Sequence, residues 1–141
     1  NVDATTFRGT ATEAYYADLA ENYNADAEYE PGTVLVFGGD AEVTTTSSRA
    51  DRRVAGVVST NPAYLMNSHA EGDNVVALAL QGRVPCKVIG KVAKGDMLVA
   101  SAVPGYAMVD NDSKIGTVIG KAVETKLDLD KGVVEVVVGR L

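Results

Sequence analysis

The chain has few of the residues that build metal, redox or disulfide centres. Its 141 residues contain one cysteine, Cys86, one histidine, His69, and no tryptophan. One cysteine excludes an internal disulfide, and a single histidine adds too little for a transition-metal site built on those ligands. We therefore predict no metal and no cofactor. With two phenylalanines the core must come from valine, isoleucine, leucine and alanine. The valine content favours strands, because β-branched side chains fit a pleated, half-buried surface.

Positive charge is also in short supply. Nineteen acidic residues against thirteen basic ones give a formal net charge of -6. An acidic surface repels phosphate backbones and anionic lipid headgroups, which argues against nucleic-acid partners and against docking on such membranes. No apolar run approaches the roughly 20 residues that a helix needs to span a bilayer. We expect no nucleic-acid partner and no membrane insertion.

The chain length predicts one domain, preceded by a segment of different composition. Residues 1–30 hold tyrosines and acidic residues and few large aliphatic side chains, and the pattern changes abruptly at Pro31-Gly32. We predict an extended N-terminal segment over 1–30 and a β-rich domain over 31–141. Within the segment, Tyr15, Leu19 and Tyr23 recur at a spacing of four, so a short helix remains an alternative to extended structure.

Short apolar runs separated by turn signals follow Pro31. "TVLVF" and "AEVTTT" flank Gly38-Gly39-Asp40, a sequence typical of a tight hairpin turn. Further runs predict strands over residues 54–60, 75–80 and 84–92, and in "GDMLVAS", "YAMVD", "GTVIGKAVE" and "GVVEVVVGRL". "NPAYLMNS" is interpreted as a loop with buried anchors. The spacing predicts a small β-barrel or sandwich of short antiparallel strands.

Two parts of the chain form a weak internal repeat. "PGTVLVF" and "KGDMLVAS" share a glycine-started strand, and each precedes by about 25 residues a return strand with an internal glycine, Gly56 or Gly120. Glycine inside a strand marks a bulge, a bend or a close backbone approach. Two such units could close a barrel. We also predict that Val57 and Val137 belong to the core, and that Gly32 and Gly95 need positive φ.

No arrangement of nucleophile and base stands out. Cys86 is interpreted as a small apolar strand residue and His69 as a surface-loop residue. Carboxylates are the most abundant candidates, and paired carboxylates can act in acid–base chemistry where burial raises one pKa. They crowd residues 18–30. From composition alone this segment is a solvated acidic stretch.

Several segments together resemble a known family. "YADLAENYNADAEYEPGTVLVFGG", "RVAGVVSTNPAYLMNS" and "VALALQGRVPCKVIGKVAKGDMLVAS" are similar to the C-terminal domain of phage tail-fibre and neck-appendage proteins. This group includes the intramolecular-chaperone autoproteolytic cleavage domain. The similarity runs from about Tyr16 to the C-terminus, and A-D-L-A-E-x-Y followed by E-P-G-T-V-L is its most specific part.

The resemblance implies a structural and assembly module of a fibre-like virion or extracellular protein. Its partners would be copies of itself, as a homotrimer, and it could attach to a glycan or protein of a host surface. The N-terminal segment over residues 1–30, which we call the lead-in, would be a shaft junction held by neighbouring chains rather than by its own core. A domain that trimerises first would align three long chains, which is otherwise a slow step.

Two alternatives stay open. The first is a self-cleaving intramolecular chaperone, an autoproteolytic peptidase cutting near its own start. No scissile motif can be carried over, and the candidate side chains are Asp18, Glu21 and Glu30. The second is a self-assembling filament subunit, in which residues 1–16 add as a strand to the open sheet edge of a neighbouring subunit.

Overall fold

The structure is a computed structural model that describes residues 18–139. All regular elements in that range are β-strands. They are β1 (Asp18–Asn24), β2 (Val34–Phe37), β3 (Val43–Thr45), β4 (Val54–Val58), β5 (Tyr64–Met66), β6 (Val75–Ile89), β7 (Met97–Ala100), β8 (Ala107–Val109), β9 (Val118–Ala122) and β10 (Lys131–Val138). The mainly β prediction is confirmed.

Five of the strands close into a small barrel. Hydrogen-bonded neighbours run β6–β8–β7–β9–β10, and β10 pairs antiparallel with β6 along residues 131–138, which closes the ring. Closure satisfies the backbone groups that an open sheet leaves exposed at its edges. The predicted barrel is therefore present, and β6 is the strand on which it closes.

The N-terminal half of β6 carries the remaining strands. β4 pairs with β6 at Val57 and Val58, and β2 and β3 continue the sheet beyond β4. β1 also pairs antiparallel with β6, and the three-residue β5 lies parallel to β1. Residues 75–89 form one continuous strand, so the prediction of two strands over 75–80 and 84–92 is wrong in this respect. Gly82 does not turn the chain, because it is paired with both β1 and β10.

Alternation along β6 and β10 fills the barrel interior. The even-numbered residues Val84, Cys86 and Val88 of β6 are buried, and the even-numbered valines of β10 face them. Val57 is fully buried, as predicted. The prediction for Val137 is wrong: its side chain lies on the outer face of β10 and is 45% exposed. Glu135, two residues before Val137 in the same strand, is charged and marks this outward phase, and the prediction did not use that signal.

The internal repeat of the sequence reappears in the strand register. Leu35 of β2 lies opposite Gly56 of β4, and Leu98 of β7 lies opposite Gly120 of β9. In both pairs the register shifts directly after the leucine, which marks a bulge in the return strand. The same hairpin and bulged return strand are thus built twice, and each return strand then pairs with a long strand, β6 or β10.

The described part of the lead-in packs on the chain's own body. β1 pairs with β6 over its whole length, and Ala25 forms a bridge with Val43. The expectation that the lead-in finds its partners only on neighbouring chains is therefore wrong for residues 18–30. The helical alternative fails over 18–24, which is a strand. Residues 1–17 lie outside the described residues, and the division of the chain at residue 30 stays a prediction.

The two turn glycines behave as predicted. Gly32 and Gly95 have φ values of +90° and +89°. They begin the two repeat units at equivalent places, because Gly32 donates its N–H to the Val58 carbonyl and Gly95 to the Ala122 carbonyl. β-Branched residues are therefore expected to be disfavoured at both positions.

Candidate functional site

The three candidate carboxylates occupy different environments, and Asp18 is the buried one. It opens β1, its residue surface is 4% exposed, and its Oδ2 has no hydrogen-bond partner among residues 18–139. Burial raises the pKa of the Asp18 carboxyl, and a hydrogen bond with Ser59 opposes that rise. Asp18 is therefore a candidate whose surroundings favour the protonated carboxyl, and a protonated carboxyl can donate a proton to a nearby backbone group.

Glu21 and Glu30 have ordinary surface partners. Glu21 accepts a hydrogen bond from the Tyr23 hydroxyl at 3.2 Å, and burial together with the Glu21 carboxylate raises the pKa of Tyr23. Glu30 is exposed and forms an ion pair with Lys87 of β6, which lowers the pKa of Glu30. A carboxylate with a lowered pKa stays ionised at neutral pH and serves poorly as a general acid.

The fold does not bring these three carboxylates together. Asp18 and Glu21 are three positions apart in one strand, so their side chains lie on opposite faces. Asp18 lies opposite Gly82 and Glu30 is anchored to Lys87, which puts the anchor points roughly 16 Å apart along β6 at about 3.3 Å per residue. These three carboxylates therefore do not form a paired-carboxylate site, and Asp18 is the buried one of the three.

The cysteine and the histidine take the structural roles expected of them. Cys86 is fully buried in the barrel, and burial raises the pKa of its thiol to about 12. A thiol with that pKa is inert as a nucleophile at neutral pH. His69 is exposed between β5 and β6. Within residues 18–139, no cluster of three or more His, Cys, Asp or Glu side chains is placed to hold a metal ion.

An acidic groove borders the turn that carries Glu30. It measures about 580 Å³ and is lined by residues 28–30 and 73–76. Glu28, Glu30 and Asp73 contribute carboxylates to its wall, and Val75 and Val76 form an apolar floor. The wall disfavours anionic ligands, so a cationic or neutral group suits it better.

A cluster of exposed apolar side chains lies beside β1, and we call it the edge patch. It consists of Tyr64, Leu65 and Met66 of β5. The three β5 residues are 76%, 41% and 43% exposed. Grouped exposed apolar residues of this kind are typical of interaction surfaces.

The edge patch lies on an open strand edge. β5 pairs with β1 on one side, through Leu19, Ala20 and Glu21, and no other strand of the described chain lies on its other side. The backbone groups on that outer side are available to a further strand. The sequence analysis missed this surface, because "YLM" was interpreted as buried anchors. Apolar character is the only signal these three residues carry, and it does not separate an anchor from an interface.

The described residues include no helix long and apolar enough to cross a membrane.

Comparisons with known proteins give little support to any particular function. No protein-family model matches the chain, and no curated protein sequence matches it. Among solved structures, the chain is similar to the head fibre gp8.5 N base of bacteriophage phi29, with 16% identity and a TM-score of 0.49. The similarity covers 85% of this chain and 92% of that chain. Neither a function nor an assembly is carried over at that identity and TM-score, and the resemblance to the autoproteolytic cleavage domain stays a prediction.

Proposed function

We propose that this chain is a structural and assembly module of a fibre-like virion or extracellular protein, and that it joins copies of itself, most simply as a trimer. The observation that carries the proposal is the edge patch beside the open edge of β5. A three-residue edge strand with every side chain apolar and exposed leaves both backbone and apolar groups unsatisfied in a single chain. The sequence resemblance to phage fibre proteins supports the same role.

Addition of a further strand at β5 would cover both its open backbone edge and its exposed apolar side chains. A segment of a neighbouring copy would form backbone hydrogen bonds along the outer side of β5, while its side chains cover Tyr64 and Met66. Residues 1–16 of a neighbouring copy are the segment that we propose for this role. The same contact repeated without closing a ring would give a filament instead of a trimer.

The test is the mass of the native assembly, measured by multi-angle light scattering over a range of concentrations. We expect a discrete trimer for the wild type. The double change Tyr64→Lys and Met66→Lys puts charge on the strand edge and should shift the assembly to monomer, because edge lysines oppose strand addition.

Ile115→Lys is the matched control, since Ile115 is 95% exposed but lies in the loop between β8 and β9. The control should keep the wild-type mass. A wild-type chain that stays monomeric at every concentration refutes the proposal, and long polymers in electron micrographs would favour the filament form.

A second candidate function, self-cleavage near the start of β1, is supported by Asp18. A buried carboxyl with a raised pKa, one oxygen of which has no partner in the described part of the chain, can act as an acid toward a neighbouring peptide bond. In a chain extended upstream of residue 1, Asp18→Asn should abolish self-shortening, while Glu21→Gln and Glu30→Gln should leave it unchanged. Two bands on a gel, with masses from mass spectrometry, measure the shortening.

The pH dependence of stability tests whether Asp18→Asn removes only the reactive carboxyl or also unfolds the protein. The raised pKa of folded Asp18 means that its neutral form is favoured by folding. Its contribution is complete below the unfolded pKa of about 3.9 and is lost as pH rises through the folded pKa. Asp18→Asn should therefore gain stability relative to the wild type as pH rises from acid to neutral. A variant that neither unfolds nor stops cleavage would remove Asp18 from the reaction.

A further inference from the structure

The loop between β9 and β10 displays two leucines to water. Leu127 is 79% exposed and Leu129 is 71% exposed, and they alternate with Asp128 and Asp130. Loop tips are usually polar, and an exposed leucine in a flexible loop can turn inward. In this loop neither leucine packs on the body of the chain.

Lys126 holds this loop in one shape. Its side chain is 9% exposed, and its ammonium donates hydrogen bonds to the carbonyls of Gly90 at 3.0 Å, Asp128 at 3.1 Å, and Asp130. The same ammonium forms an ion pair with the Asp128 carboxylate at 2.8 Å. Paired backbone hydrogen bonds between Lys126 and Val92 fix the base of the loop. A rigid loop loses little conformational entropy when its leucines bind a partner.

A surface of complementary character lies on the outer face of the barrel. Val137 of β10 lies between two cationic neighbours, Lys121 of β9 and Arg83 of β6, which are its direct partners in the two ladders. Val137 is 45% exposed, and Val133, further along the same face of β10, is 60% exposed. Glu135 lies between the two valines on this face and forms an ion pair with Arg83 at 3.1 Å, so Lys121 is the cation that a carboxylate of the loop can meet while the leucines meet the valines.

We infer that the Leu127–Asp130 loop of one copy docks on the Val133–Val137 face of a second copy. The inference rests on the proposed function, because it names a contact between the assembling copies that is separate from the edge patch. The leucines cover the valines, and Asp130 lies against Lys121. The two surfaces differ, so the contact is head to tail and closes into a ring when the rotation allows it. Charge complementarity selects the register of this contact.

The first experiment removes the apolar half of the contact. Leu127→Ser with Leu129→Ser should weaken association about tenfold or more, measured by sedimentation equilibrium of the full chain. Both side chains are exposed, so the melting temperature should not change. Ile115→Ser is the control, at the opposite end of β9, and should associate like the wild type.

The second experiment swaps charges across the contact. Asp130→Lys and Lys121→Glu should each weaken association, and the double variant should recover it, because the pair is then restored with opposite signs. Assembly that is unchanged in the leucine variant, or a double variant that stays weak, overturns this inference and leaves the proposed function intact. A wild-type chain that never associates removes both.

Discussion

Replacing Leu98 by alanine should lower the free energy of unfolding by about 2–5 kcal/mol. Leu98 is fully buried in the barrel core, where β7 pairs with β8 and β9, and truncation leaves a cavity that close-packed neighbours cannot fill. The melting temperature should fall on the order of 10 °C, measured by calorimetry or circular dichroism.

Leu35→Ala provides an internal comparison, because Leu35 occupies the equivalent position of the other repeat unit and is also fully buried. We expect a loss of similar size. Leu127→Ala is the control for the chemistry of the change, since that side chain is mostly exposed, and it should stay within about 0.5 kcal/mol of the wild type. Equal stability of Leu98→Ala and Leu127→Ala would contradict the placement of β7 in the core.

Replacing Gly120 by alanine should be as damaging as removing a core leucine, although it adds only a methyl group. A Cβ at Gly120 would lie 2.2 Å from the Val137 carbonyl oxygen and 2.9 Å from its carbonyl carbon. Both atoms belong to the backbone of β10, so no side chain can move aside. The ladder between β9 and β10 has to separate, at a cost of about 3 kcal/mol or more, which denaturant unfolding measures.

Gly56→Ala tests the same contact in the first repeat unit. Its Cβ would lie 2.6 Å from the Ala79 carbonyl oxygen, and its φ of +154° adds strain. Gly139→Ala is the matched control, because its Cβ would meet nothing closer than 3.9 Å. Wild-type stability of Gly120→Ala would mean that β9 and β10 are not paired in this register.

Local sequence patterns were sufficient to predict much of this fold. The hairpin of β2 and β3 followed from Gly38-Gly39-Asp40, and the two repeat units followed from a shared glycine-started strand and an internal glycine. Each of these signals acts within about 25 residues. Gly56 and Gly120 were recognised as special positions because glycine weakens the interior of a strand and usually marks a bulge, a bend or a close backbone approach.

Features set by long-range pairing were not predictable. Gly82 resembled a turn residue, and only its pairing with both β1 and β10 keeps β6 continuous. The assignment of Val137 to the core is different, because Glu135, two residues earlier on the same face of β10, marks that face as the outer one within the local sequence. Asp18, Glu21 and Glu30 form a cluster in sequence, and the fold separates them because β1 buries Asp18 while Lys87 of a distant strand holds Glu30.

Gly82 also determines how the described chain would carry a mechanical load. Asp18 of β1 and Val138, the last residue of β10, both lie opposite this one residue. Tension applied between these points would cross β6 at Gly82. The strands β1 and β10 would then detach one residue pair at a time, starting from Gly82. Because the pairing of β10 with β6 closes the barrel, such peeling would open the ring, and the first residue to detach from β10, Val138, would take a buried side chain out of the core.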